Sequence, residues 1–185
     1  MMTFFRRKEK RERAHTDFEI IIDTYERQLI VYASRITGSR STAEDIAQEA
    51  FIKLSQYWRG ELTPGPAVSA WLYKAAHNIA IDHIRHEKTR AEAHKKHYEE
   101  REIERGAAKS DDSQNDDDAA KIRAALAALP ERERALVVLK VYENKSYGEI
   151  GQITGLKTGN VGYILHNAMK KLAQIMSNKK GGDGK

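Results

Sequence analysis

The run Ser146-Tyr147-Gly148-Glu149-Ile150-Gly151-Gln152-Ile153-Thr154-Gly155-Leu156-Lys157-Thr158-Gly159-Asn160-Val161-Gly162-Tyr163-Ile164-Leu165-His166-Asn167-Ala168-Met169-Lys170-Lys171-Leu172 sets the architecture. Its spacing predicts a short helix over 147–154 ended by Gly155, a tight turn at Gly155-Leu156, and a second helix opening at Lys157-Thr158. Gly155 supplies the positive φ that the turn needs. Ile150, Ile153, Leu156, Val161 and Leu165 fall where they can hold the two helices crossed, as in a helix-turn-helix. The first turn of the second helix, Lys157, Thr158, Gly159 and Asn160, is then left exposed for a DNA major groove, with Lys170 and Lys171 placed to meet phosphates. An ordinary helical hairpin with a solvated, charged end shares this pattern, so the run alone leaves both readings open.

Working upstream, Asn144-Lys145-Ser146 reads as a turn, preceded by a helix from Glu131 to about Tyr142 that carries Ala135, Leu136, Val138 and Leu139. Before it lies a helix with Ile122, Ala125, Leu126 and Leu129, stopped by Pro130. Ser110-Asp111-Asp112-Ser113-Gln114-Asn115-Asp116-Asp117-Asp118 is polar and acidic, with no apolar residue to offset chain entropy, and reads as a flexible linker. Further upstream Phe18, Ile21, Ile22, Tyr25, Leu29, Tyr32, Ala33 and Ile36 recur at helical steps, with Thr16 or Asp17 as a cap and Gly38 as the stop. A second helix opens at Ser41-Thr42, with Glu44 and Asp45 in its first turn and Ile46, Ala47, Ala50, Phe51, Leu54 and Trp58 as its stripe. The segment 59–66, rich in Gly and Pro, breaks the pattern. A third helix starts near Ala67 on Val68, Trp71, Leu72, Ala75, Ala76, Ile79 and Ile84, and runs on as a charged extension to about Arg105.

Composition agrees with an all-α chain of two small helical domains. Of 185 residues, 40% are hydrophobic and 32% charged, enough for small helical cores rather than one large enzyme core. The formal charge is +5, and residues 119–185 hold twelve basic against five acidic side chains, which suits a polyanion partner. The mean hydropathy is −0.70, and no apolar run nears the ~20 residues of a membrane helix. The charged start, Met1 to Lys8, has no apolar segment behind it and does not read as a secretory signal. Zero Cys excludes disulfides, thiolate catalysis and Cys-ligated zinc, and a cytoplasmic setting without membrane insertion is expected. Phosphate-binding Gly loops and Ser/His/Asp signatures are missing, so neither an enzyme site nor a cofactor is expected. His83/His86 and His94/His97 stand three residues apart but in basic surroundings, so no metal site is expected. The expected division is a basic N-terminal tail at 1–15, a first domain at 16–105, an acidic linker at 106–118, a second domain at 119–178 and a flexible tail at 179–185.

Three motifs, in order along the chain, resemble one family, the last of them made of four short stretches. Leu129 to Arg134, Ser146 to Gly151, Gly155 to Val161 and Leu165 to Leu172 look like region 4 of extracytoplasmic-function sigma factors of the sigma-70 family. Ala43 to Leu54 is similar to the core-polymerase-binding helix of region 2, and Trp71 to Arg85 to its promoter-melting and −10-reading helix. The resemblance implies a sigma factor that binds core RNA polymerase through its β′ and β subunits and directs promoter-specific initiation. Promoter DNA is then the second partner, and an anti-sigma factor a third. It implies polymerase docking by Asp45, Gln48, Glu49 and Lys53. It implies −10 capture and melting by Asn78, Asp82, Arg85, His86, Lys88 and Arg90, with the loop at 59–66 helping to hold a flipped base. It implies −35 recognition by Lys157, Thr158, Gly159, Asn160, Tyr163, His166, Lys170 and Lys171. The sequence departs from the family at His77, where Arg is common, and at Gly162-Tyr163-Ile164, Asn167 and Met169, where basic residues are usual. Base readout then falls to Lys157, Thr158, Asn160, Tyr163 or His166, or to backbone contacts and DNA shape. A stand-alone helix-turn-helix regulator is the rival reading.

Overall fold

The computed structural model describes residues 2–58, 63–98 and 117–180, and the side chains of 17–58, 63–91 and 120–177. Those residues form helices and turns, with no strand among them. The first unit comprises α1 (Met2–Thr37), α2 (Arg40–Tyr57) and α3 (Pro66–Tyr98). The second comprises α4 (Asp117–Ala127), α5 (Glu131–Val137), α6 (Tyr147–Thr154) and α7 (Thr158–Lys180), with a π-helical turn at Val138–Tyr142 between α5 and α6. The expected linker at 106–118 lies outside the described residues up to 116, and Asp117 and Asp118 open α4. The segments 59–62 and 181–185 also lie outside them.

In the first unit three helices bury small and aromatic residues against one another. Ile21, Leu29, Tyr32, Ala33 and Ile36 of α1 meet Ala43, Ala50 and Leu54 of α2 and Leu72, Ala76 and Ala80 of α3, all fully buried. Alanines at the crossings let the backbones approach, and the aromatic rings fill the space left. Phe18 meets Phe51 edge-on at 6.4 Å, and Tyr32 meets Tyr73 at 5.3 Å. Trp71 stands on this apolar side, edge-on to Trp58 at 6.4 Å, which gives it a packing role rather than a free stacking face.

Three boundaries differ from expectation. α1 does not begin at a Thr16 or Asp17 cap, and the expected tail at 1–15 is helical from Met2. The segment is rich in Arg, Lys and Glu, good helix formers, and holds no Gly or Pro to stop the helix before Gly38. α2 opens at Arg40, because Ser39 is its cap: the Ser39 Oγ accepts from the Thr42 N–H at 3.3 Å. Glu44 and Asp45 thereby move out of the first turn. The helix expected to run to Tyr142 changes to a π turn at Val138, where the Glu143 N–H donates to the Val138 carbonyl at 3.2 Å.

The two units lie against one another, α3 along α6 and α1 beside the π turn. Their buried residues form one continuous apolar cluster. Arg134 ties the joint: its guanidinium donates to the Ile36 carbonyl at 2.6 Å and to the Ala127 and Leu129 carbonyls at 2.7 and 3.1 Å. The Ile36 carbonyl belongs to the last turn of α1, where helical carbonyls lack partners and a cation is favoured.

Candidate nucleic-acid interface

The helix-turn-helix forms through local devices. Ser146 caps α6 in a reciprocal box: its Oγ accepts from the Glu149 N–H at 3.3 Å, and Glu149 accepts from the Ser146 N–H at 2.8 Å. The Ser146 hydroxyl, then its N–H, hold the Glu149 carboxyl below the usual range. Gly155 ends α6 at φ 73°. A Cβ at Gly151 would stand 2.7 Å from the Leu156 carbonyl oxygen, so the turn folds back onto α6 only because that side chain is absent. Val161, Leu165 and Ala168 then bury the inner face of α7.

The outer face of α7 carries the expected −35 set. Lys157, Thr158, Gly159, Asn160, His166 and Lys170 are exposed, and Tyr163 is 72% exposed. Gly162 differs: it is half-buried beneath the Tyr147 ring, whose edge lies 3.4 Å from where a Cβ would stand. Lys171 is drawn onto Glu133 of α5 at 2.6 Å, so its charge is shared within the protein.

On α3 the exposed row is Asn78, Asp82, Arg85, His86, Lys88 and Arg90. Arg85 pairs with Asp82 at 3.6 Å and Arg90 with Glu87 at 3.7 Å. The row splits into two sides. Arg85 and Lys88 line a cavity of about 460 Å³ toward the second unit, together with His77, Ile81, Arg132 and Leu156. Asn78, Asp82 and His86 do not line it.

Two tyrosines of the apolar stripe on α1 also anchor α3 through their hydroxyls. The Tyr32 hydroxyl lies 3.0 Å from His77 Nδ1. Burial, then the charge of Arg85, pushes the His77 pKa down to about 4, so the ring is neutral, and its tautomer sets which of the two groups donates in this hydrogen bond. Burial likewise raises the Tyr32 pKa and keeps that hydroxyl protonated. Tyr25 reaches the segment before α3, accepting from the Gly65 N–H at 2.9 Å and donating to the Gly65 carbonyl at 3.2 Å. A Tyr in an apolar stripe needs a hydroxyl partner, which was the available signal.

The expected polymerase face on α2 divides in the same way. Asp45 and Gln48 line an open groove of about 660 Å³ with Phe18, Ile22, Phe51 and Ile52. Glu49 and Lys53 stand beside it and pair at 2.9 Å. Among the described residues no cluster of His, Asp and Glu could hold a metal ion, and no helix is long and apolar enough to cross a membrane.

These elements define a class: an all-α, two-unit transcription factor with a DNA-binding helix-turn-helix in its second unit. Residues 21–90 match the family model for Sigma-70 region 2, and residues 119–172 match that for Sigma-70, region 4. The chain is 28% identical to the extracytoplasmic-function RNA polymerase sigma factor SigW of Bacillus subtilis, over 93% of this chain and 95% of that one. It is 32% identical to the sigma factor SigE of Mycolicibacterium smegmatis over 78% of its length, and spans 56% of SigE. The fold is similar to that of RpoE of Bartonella quintana, solved with the anti-sigma factor NepR, at a TM-score of 0.63 and 18% identity, covering 87% of this chain and 97% of that one. The chain belongs to the sigma-70 family of RNA polymerase sigma factors, in its extracytoplasmic-function class.

Proposed function

We propose that the chain is a promoter-specific initiation factor whose first unit docks on core RNA polymerase and opens the −10 element while its second reads the −35 element. The observation that carries this is the order of the two matched regions on one chain, region 2 at 21–90 and region 4 at 119–172. The stand-alone regulator is disfavoured because it gives residues 21–90 no task. The factor acts in the cytoplasm and has no catalytic centre of its own, the polymerase supplying the chemistry. Domain limits of 16–105 and 119–178 joined by 106–118 belong to the same proposal.

In this reading the groove on α2 receives a polymerase helix, with Asp45 and Gln48 at its wall and Glu49 and Lys53 at its rim. Asn78, Asp82 and His86 face an extruded base and Arg85, Lys88 and Arg90 its strand. Lys157, Thr158, Gly159, Asn160, Tyr163 and His166 meet the −35 groove, with Lys170 and Lys171 on phosphates. Lys171 must first leave Glu133. An anti-sigma partner is proposed by likeness to RpoE, the solved structure of which includes one.

Run-off transcription with purified core polymerase over a promoter library tests the function: specific transcripts are expected, and none from folded protein would overturn it. Asn78→Ala should lower open-complex formation about tenfold, the size of one lost hydrogen-bonding contact, with core affinity unchanged. An equal fall in both would move that face to polymerase binding. Gln48→Ala combined with Glu49→Ala should weaken core binding at unchanged melting temperature, with most of the loss carried by Gln48, since Gln48 alone of the two lines the groove.

A further inference from the structure

Within the second unit α5 packs against α7, and an ion pair spans the two helices. The Lys171 ammonium donates to one Glu133 carboxylate oxygen at 2.6 Å. The two ends of the pair differ. The Lys171 side chain is 48% exposed and that of Glu133 only 17%. The second Glu133 oxygen is buried, with no hydrogen-bond partner among the described residues. An exposed ion pair is worth little, because water replaces either partner. Water cannot do so for a sunken carboxylate, and taking its cation away leaves a charge uncompensated. The lysine, half in solvent, loses far less on parting.

The pair stands at the margin of the face proposed to meet DNA. One residue turns a helix by about 100°. Lys170 is exposed beside Met169, whereas Lys171 comes round toward α5, next to Leu172, which packs on the apolar cluster. Phosphate that recruits Lys171 must therefore draw it off a carboxylate that has already lost part of its water. Two anions compete for one ammonium, and the protein's own anion has the worse alternative.

We propose that Glu133 competes with DNA phosphate for Lys171 and thereby sets how tightly the second unit holds a duplex. Glu133 touches no DNA in this scheme and acts only through the charge it holds. The inference rests on the proposed seating of α7 on −35 DNA. Phosphate contacts carry no sequence information, so the competition weakens binding to every duplex alike and leaves base preference as it is.

The test measures binding of the full chain to a random-sequence duplex, without polymerase, over a salt series. Glu133→Gln keeps the shape of the side chain and removes its charge. It should raise affinity about fivefold at low salt and steepen the fall of log affinity with log salt by up to about 0.9, the mark of one added phosphate contact. Lys171→Ala alone should change affinity by less than about twofold, and in the Glu133→Gln background it should cancel the gain. A pair that merely braced α7 would behave otherwise: each single change would lower affinity, and Glu133→Gln would alter the sequences selected from a random pool. No gain from folded Glu133→Gln overturns the competition, and so does a gain that survives Lys171→Ala. If Glu133→Gln loses helical circular dichroism, Lys171→Ala decides, and a loss of about fivefold overturns the proposal. Lys170→Ala reports on the reading beneath it, with a loss of about fivefold expected. No loss there would sink the seating of α7 and the competition with it, whereas a loss without any gain from Glu133→Gln would sink the competition alone.

Discussion

The two units hold the helices proposed to face DNA, α3 and α7, by different means. α3 is fixed from beneath by tyrosine hydroxyls that reach 40 and 45 residues along the chain, Tyr25 to Gly65 and Tyr32 to His77. α7 is fixed by its own approach: the Ser146 box, the fold-back onto Gly151 and the left-handed Gly155 all lie within 12 residues of its start. One unit depends on distant polar bonds inside a core, and the other on local backbone geometry. The first should answer to loss of a hydroxyl or to a proton, and the second to the gain of a methyl group.

One of two effects of about equal expected size comes from the local side. Gly151→Ala puts a Cβ against the Leu156 carbonyl, a backbone atom that cannot step aside. It should cost about 3 kcal/mol and be read as early melting of residues 119–178 in hydrogen exchange, with exchange in the first unit little changed. If both units melt together, the shared cluster outweighs local construction and the contrast fails.

Next is acid. His77 has a folded pKa of about 4 against an ordinary 6.5. The unfolded chain therefore takes up the proton first, and stability present above pH ~6.5 is lost as pH falls toward 4, about 3 kcal/mol in all. His77→Gln should flatten that part of the curve of denaturation free energy against pH. An unaltered slope would show that another group carries the loss.

The smallest is Tyr25→Phe, which leaves the Gly65 N–H and carbonyl without their shared partner. A loss of about 1–2 kcal/mol is expected by urea denaturation. A neutral result would make the anchor before α3 dispensable and narrow the difference between the units.

Helical stripes such as 21–36 and 161–172 were readable because burial repeats with the helix turn. Gly155 was readable because a stop with positive φ has few candidate residues. The partners of Tyr25, Tyr32, Arg35 and Arg134 were not, since spacing along a chain says nothing of which helix will lie opposite. The Ser146–Glu149 box is legible in principle as Ser-x-x-Glu ahead of an apolar helix, a signal that sits inside the turn at Asn144-Lys145-Ser146. Of the expected faces, the exposed rows on α2, α3 and α7 follow from periodicity. Their division, with Gln48 in the groove and Glu49 beside it, or Lys88 at the joint and Asn78 away from it, needed the third dimension.

The wide turn at Val138–Tyr142 acts as a phase shifter. It holds one more residue per turn than regular helix, and each residue rotates the chain by about 100°. Deleting a single residue there would let the ordinary ladder resume and swing Glu143 about a quarter-turn away from Arg35 and Tyr73. A one-codon change would therefore undo the Tyr73–Glu143 hydrogen bond and the Arg35–Glu143 ion pair that join the two units.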